Sequence, residues 1–346
     1  MTIPFSILDT QTLLGVFEHT YPIPTYWRDL AFPSVFTSDD QFIDMEKIVR
    51  GRKLAPFVMP MAEGKPIFSE GSNLTRFRPG YIKVKDAVSP DRVVKKRVGS
   101  IFNPTPPSMQ ERFDSLVADI MQEHRNTIER TWEWMAARAV IDGAVTLQGD
   151  DYPSVTVDFQ RDAANTVVLA GAQKWNGASS DIIGNLNQWR QIVRLAKFGG
   201  PTNRLTVGAN VWEVMERDAH VLDQLNKLRI GNEGANALNT GIREGSRVEY
   251  MGHLGTLEVW VYADSYEVNG VETPFMSAND VVLTGPNVGG VQAFGAILDK
   301  KAGFQALPVF PKMWDDEDPS VTQIMNQSSP LFIPANPNNT LKATVL

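Results

Sequence analysis

One helix-period pattern runs unbroken from residue 108 to residue 142 and sets the scale of anything this chain can build. Pro106 and Pro107 precede Ser108. Ser108 with Glu111 three residues on has the form of a capping box, in which each side chain satisfies the other residue's backbone N–H. Phe113, Leu116, Val117, Ile120, Met121, His124 and Ile128 then recur every three or four residues. Trp132, Met135, Ala136, Ala139 and Val140 continue the stripe, and Gly143 is the expected terminator. At 1.5 Å per residue such a helix spans ~50 Å. Only one face is apolar, so it is expected to lie along a domain rather than inside one. Trp132 and Trp134, two apart, cannot both face the same side.

With 346 residues and 42% hydrophobic content, the chain can bury a large core and has the length of roughly two domains. The charged fraction of 21% excludes a disordered polyelectrolyte. Cysteine is absent, so disulfides and cysteine-ligated metals are excluded. The first residues lack a basic stretch followed by an apolar run, so no export signal is expected. No stretch approaches the ~18 consecutive apolar residues of a membrane helix, so no membrane partner is expected.

Charge is unevenly spread. Residues 76–97 carry Arg76, Arg78, Lys83, Lys85, Arg92, Lys95, Lys96 and Arg97 against Asp86 and Asp91, a balance of +6 in a chain of net −7. Within this segment, residues 81–85 (Tyr-Ile-Lys-Val-Lys) alternate apolar and basic with period two, the pattern of a strand with one cationic face. Few large hydrophobes accompany it, and a lone two-stranded ribbon is marginal in water. The segment is therefore expected to protrude and to be ordered by contacts outside itself. A solvated face, a nucleic-acid contact and a protein contact are all conceivable. Nucleic-acid readers interleave aromatics with cations, and only Phe77 and Tyr81 are available here. A protein contact with an acidic copy of the same chain explains the asymmetry most directly. Asp315, Asp316, Glu317 and Asp318, four adjacent acids, read as a solvated turn or as a docking site for such a basic segment. They lack the alternating ligands of a calcium loop.

The other elements are shorter. Residues 1–45 mix Phe17, Tyr21, Trp27 and Phe36 with prolines, an apolar arm that needs a surface, its own or a neighbour's. Strands are expected at 155–159, 166–169, 205–207 and 281–283, and over 248–262 around a Gly252-His253-Leu254-Gly255 turn. Ser180-Asp181 is positioned to cap a helix over 182–197, and Asn210 to cap one running to about 228. Asn269-Gly270 predicts a tight hairpin. Residues 304–346 look extended around the acidic turn.

Chemistry is not signalled. There is no dinucleotide or phosphate loop and no nucleophile elbow. His19, His124, His220 and His253 have no metal-ligand spacing. No catalytic, cofactor-binding or metal residue is expected, no cofactor is implied, and a hydrolase built on scattered carboxylates is a remote alternative.

Residues 54–58 (Leu-Ala-Pro-Phe-Val), 77–85 (Phe-Arg-Pro-Gly-Tyr-Ile-Lys-Val-Lys) with 88–90 (Val-Ser-Pro), and 324–334 (Ile-Met-Asn-Gln-Ser-Ser-Pro-Leu-Phe-Ile-Pro) together resemble the lambda-type major capsid proteins of tailed phages, the capsid protein E family. The order of elements along nearly the whole chain is also similar. The resemblance implies an α+β fold of the Hong Kong 97 type. It divides into an N-terminal arm (1–45), an extended β-ribbon loop with flanking strands (46–107), a peripheral domain with a long spine helix (108–177), an axial domain (178–300) and a peripheral return (301–346). It implies hexamers and pentamers of an icosahedral phage head around double-stranded DNA, assembled in the host cytoplasm and found in the virion. Portal, scaffold and a decoration or cement protein are implied partners, with packaged DNA touched only non-specifically. It makes Arg76, Arg78, Tyr81, Lys83, Lys85, Arg92, Lys95, Lys96 and Arg97 candidate subunit-interface residues. A bacterial nanocompartment shell of the same fold is the alternative.

Overall fold

The long helix forms where its pattern predicts, over Met109–Ile141. Ser108 Oγ accepts from the Glu111 N–H at 3.2 Å, and the Glu111 carboxylate accepts from the Ser108 N–H at 2.7 Å. At its other end Gly143 takes a left-handed φ of +71°. There the Arg161 guanidinium donates to the carbonyls of Val140 (3.0 Å) and Ile141 (2.9 Å), which no further turn satisfies.

The computed structural model describes residues 25–49, 71–94, 108–149, 152–223 and 247–346. The chain order is α1 (Tyr26–Ala31), β1 (Ser34–Thr37), β2 (Ile43–Val49), β3 (Gly71–Phe77), β4 (Ile82–Val88), α2 (Pro90–Val94) and the long helix α3. The hairpin β5 (Ala144–Gly149) and β6 (Tyr152–Asp158), then β7 (Thr166–Val168), α4 (Ile182–Leu195), β8 (Arg204–Val207) and α5 (Ala209–Arg217) follow. Next come β9 (Val248–Leu254), β10 (Leu257–Tyr262), β11 (Ser265–Val268), β12 (Val271–Pro274), β13 (Asp280–Thr284) and β14 (Val291–Phe294). The last strands are β15 (Phe310–Asp316), β16 (Val321–Ser328), β17 (Pro330–Ile333) and β18 (Thr340–Thr344).

Three packed units result. A hairpin sheet in the order β15-β16-β4 covers the first half of α3. Val88, Met313 and Ile324 meet Phe113, Val117, Ile120 and Met121 there. Around the second half of α3, the β1-β14-β17 sheet and α1 bury Trp27, Phe32, Trp132, Phe294 and Phe332 in a common core. A six-stranded sheet, β7-β18-β13-β8-β10-β9, carries α4 and α5 over a second core containing Trp175, Trp189, Leu205, Val211 and Leu283. Trp132 is buried, and Trp134 packs half-buried against the same core from another direction.

Several sequence expectations need correction. β4 does not protrude: it pairs antiparallel with β16 from Ile82↔Ser328 to Val88↔Thr322. Its missing core is supplied by its own chain more than two hundred residues later. From Thr25 onward the N-terminal segment lies on its own body. Gly290 N–H donates to Ala31 carbonyl at 2.7 Å, and β1 pairs parallel with β14. α5 starts after Gly208, not at Asn210. A Cβ on residue 208 would stand 2.4 Å from Ala278 O, so that close approach requires glycine. Asn210 instead donates to Asn279 Oδ1 at 2.9 Å. The helix ends at Arg217, where Asp218 turns away and caps the N–H groups of His220 and Val221. The 248–262 hairpin turns at Gly255 and Thr256, with Gly252 still inside β9. β7, expected with the spine-helix region, and β18, expected to return to it, both belong to the six-stranded sheet. Asn269 (φ 51°) and Gly270 (φ 79°) form the predicted hairpin turn.

Candidate assembly interface

Strand alternation sorts the basic residues of β4. Ile82, Val84, Asp86 and Val88 point to α3, and Lys83, Lys85 and Ala87 point the other way. On the helix side, His124 is buried on α3 with its Nε2 3.7 Å from Asp86 Oδ2. Burial holds its pKa below the ordinary histidine value, and the facing Asp86 carboxylate only partly offsets this. Arg92 on α2 donates to Ala87 O at 2.9 Å and lies 3.9 Å from Asp86, tying the end of β4 to the turn that follows.

The outer side of the hairpin sheet is a cationic face. Register places Lys85 beside Met325 and Met325 beside Lys312, with Trp314 one position along. Lys85 Nζ stands 5.2 Å and Lys312 Nζ 5.7 Å from the centre of the Trp314 ring. Tyr81 closes one end: its hydroxyl donates to Gln327 Oε1 at 2.7 Å and accepts from Leu298 N at 3.1 Å. Burial raises its pKa. Asp299, beside Leu298, bonds Lys312 (2.8 Å) and Gln327 (3.0 Å), so Lys300 and Lys301 are carried to the same end. These two lysines and Lys312 were not singled out in sequence, because only β16 pairing brings residues 81–85 and 298–314 together. Arg76, exposed on β3, sits over the Phe42 ring at 5.6 Å, and Arg78 is exposed after it. Lys95, Lys96 and Arg97 lie outside the described residues.

The acidic run spans the end of β15, at Asp315 and Asp316, and the turn into β16, at Glu317 and Asp318. Asp315 accepts from Thr322 Oγ1 at 2.7 Å and Asp316 from Gln323 Nε2 at 2.9 Å, while Glu317 and Asp318 are exposed. The turn thus belongs to the same sheet as β4, next to Val88.

A second polar knot, which the sequence reading did not find, holds the start of the described chain. Glu133 is buried on α3 and accepts from the N–H groups of Trp27 (2.8 Å) and Arg28 (3.2 Å) at the start of α1. Burial pushes its carboxyl up to about 7 against the pull of those two donors. Among the described residues, no group of three or more histidines and acids is placed to hold a metal ion. None of the described helices is long and apolar enough to cross a membrane.

Comparison with known proteins agrees with this architecture. The chain is 26% identical over 341 residues to the major capsid protein of Escherichia phage N15, covering 96% of this chain and 97% of that one. It is 25% identical over 339 residues to the major capsid protein of Escherichia phage lambda, with the same coverage. A crystal structure of a prophage capsid protein from E. coli CFT073 superposes with a TM-score of 0.72 at 22% identity, covering 98% of this chain and 99% of that one. The mature capsid of bacteriophage PhiM1 gives 0.52 at 10% identity, with 99% and 91% covered. These two show the fold, an α+β architecture of the Hong Kong 97 type. The sequence model of the family "Phage major capsid protein E" matches residues 9–345, and the chain belongs to that family of capsid proteins.

Proposed function

We propose that this major capsid protein assembles into the hexamers and pentamers of an icosahedral phage head around double-stranded DNA. The observation that carries the reading is the family match from residue 9 to residue 345. In this reading residues 1–45 are the arm, 46–107 the extended loop with its flanking strands, and 108–177 the peripheral domain. Residues 178–300 are the axial domain and 301–346 the return, with β7 and β18 lent to the axial sheet. The head forms in the host cytoplasm with a portal and a scaffold, and a decoration or cement protein can join it. The exposed cations Arg76, Arg78, Lys83, Lys85 and Arg92, with Tyr81 and with Lys95, Lys96 and Arg97, act in contacts between copies. The turn of Asp315, Asp316, Glu317 and Asp318 is a candidate counterpart. A net-negative wall suits packaged DNA, because a basic lining would hold it by counterion release. Electron microscopy of the expressed chain, with scaffold supplied, is the test. Closed shells or ring-shaped capsomers are expected, and a species that stays monomeric under all assembly conditions overturns the reading.

A further inference from the structure

The lobe made of the hairpin sheet and the first half of α3 has two outer faces of opposite charge. One is the lysine face. Lys83 and Lys85 are exposed on β4, and Lys300 and Lys301 are exposed at its Tyr81 end. Lys312 is half-buried and already paired with Asp299. Met325 lies half-exposed between Lys85 and Lys312. The acids on this side are Asp299, spent on Lys312, and Asp316 near the far edge, bonded to Gln323.

The other is the outer face of α3. Phe113, Val117, Ile120, Met121 and His124 face the sheet. Asp119 and Glu123, four residues apart, therefore share a stripe on the other side, with Glu111 beyond them and Asp114 on the far flank, and all four are exposed. The two arginines in this half are only partly exposed: Arg112, and Arg125, which is bonded to the buried Glu129 at 2.8 Å.

We propose that the lysine face of the hairpin sheet in one copy docks on the acidic face of α3 in a second copy. This rests on the shell reading and names the surfaces that meet. The partner is a copy of this chain because the two faces are complementary in charge and belong to the same lobe. They lie on opposite sides of it, so they cannot meet within one molecule. A contact between two different patches is heterologous, and repetition of it closes a ring or extends a lattice. A nucleic acid fits the lysine face less well: Lys85 and Lys312 already stand over the Trp314 ring, leaving it poorly available for base stacking. The acidic turn at 315–318 is a weaker counterpart for Lys83 and Lys85, since it extends the same sheet and faces the same way at Asp316.

Two double reversals and their combination test the pairing, and all four positions are exposed. Lys83→Glu with Lys85→Glu, and Asp119→Lys with Glu123→Lys, are each expected to lower the yield of sedimenting particles roughly tenfold. The melting curve of each isolated chain should stay close to that of the unaltered protein. Placing all four substitutions in one chain restores opposite charges across the contact, and particle yield should return. Normal yield from either double variant overturns the proposal. So does loss in both without recovery in the fourfold variant. Unchanged particles from Lys83→Glu with Lys85→Glu that no longer retain DNA would assign the lysine face to nucleic acid instead. An unaltered chain that never assembles overturns the shell reading itself, a result separable from failure of the pairing alone.

Discussion

Glu133 shows how one side chain can make the docking of the arm depend on pH. Its carboxyl is buried against α1 and rises to about 7 from an ordinary value of 4.5. A carboxyl whose pKa is raised by folding favours the native state fully below the unfolded value, and that stabilisation is lost as the pH climbs through the folded value. The change is about 3 kcal/mol between pH 4.5 and 7. The melting temperature of Glu133→Gln, compared with the parent across this window, should lack that decline. Equal slopes in both proteins would remove Glu133 as its cause. The comparison has to be made between variants, because His124 works in the opposite direction. Its pKa is lowered by burial, so it costs stability as the pH falls below the ordinary histidine value. Neither role was legible in the sequence. The donors to Glu133 come from Trp27 and Arg28, over a hundred residues earlier, and no local pattern links them.

Elements whose signals are local were read correctly. The capping box at Ser108, the stripe of α3, the Asp181 cap on α4 and the Asn269-Gly270 hairpin each depend on residues within four positions of one another. What failed was partnership. The cationic period-two pattern of β4 was visible, but β16, the strand that gives it a core, was not. Half of the lysine face was therefore legible, and the half contributed by Lys300, Lys301 and Lys312 was not. The same holds for the seat of α1. Gly290 lies where an added Cβ would meet Phe32 Cδ1 at 2.3 Å and Ala31 O at 2.6 Å. Gly290→Ala must push the end of α1 away from β14, and it should destabilise the isolated protein by about 1–3 kcal/mol, the range for overpacking. Urea unfolding of the variant and the parent measures this. An unchanged midpoint would show that the end of α1 contributes nothing to the fold.

The whole molecule is acidic, and among the described residues four exposed lysines, Lys83, Lys85, Lys300 and Lys301, gather on one face of one lobe. Interactions between exposed charges fade beyond a Debye length of about 8 Å at physiological salt and about 3 Å at 1 M. Assembly through the lysine face should therefore slow as salt is raised from about 0.05 to about 0.5 M, with light scattering as the readout. A rate independent of salt would argue for apolar contacts instead. The way β16 sits between β15 and β4 has a further consequence, in time rather than space. On the ribosome, β4 and the apolar stripe of α3 emerge long before Val321–Ser328 exists to complete their sheet. At ~5–20 residues per second this leaves them uncovered for on the order of tens of seconds. The same chain built to bury its surfaces against many copies of itself must thus first survive synthesis with an apolar surface open. Its yield in a cell is then governed as much by what shields the unfinished chain as by the stability of the finished one.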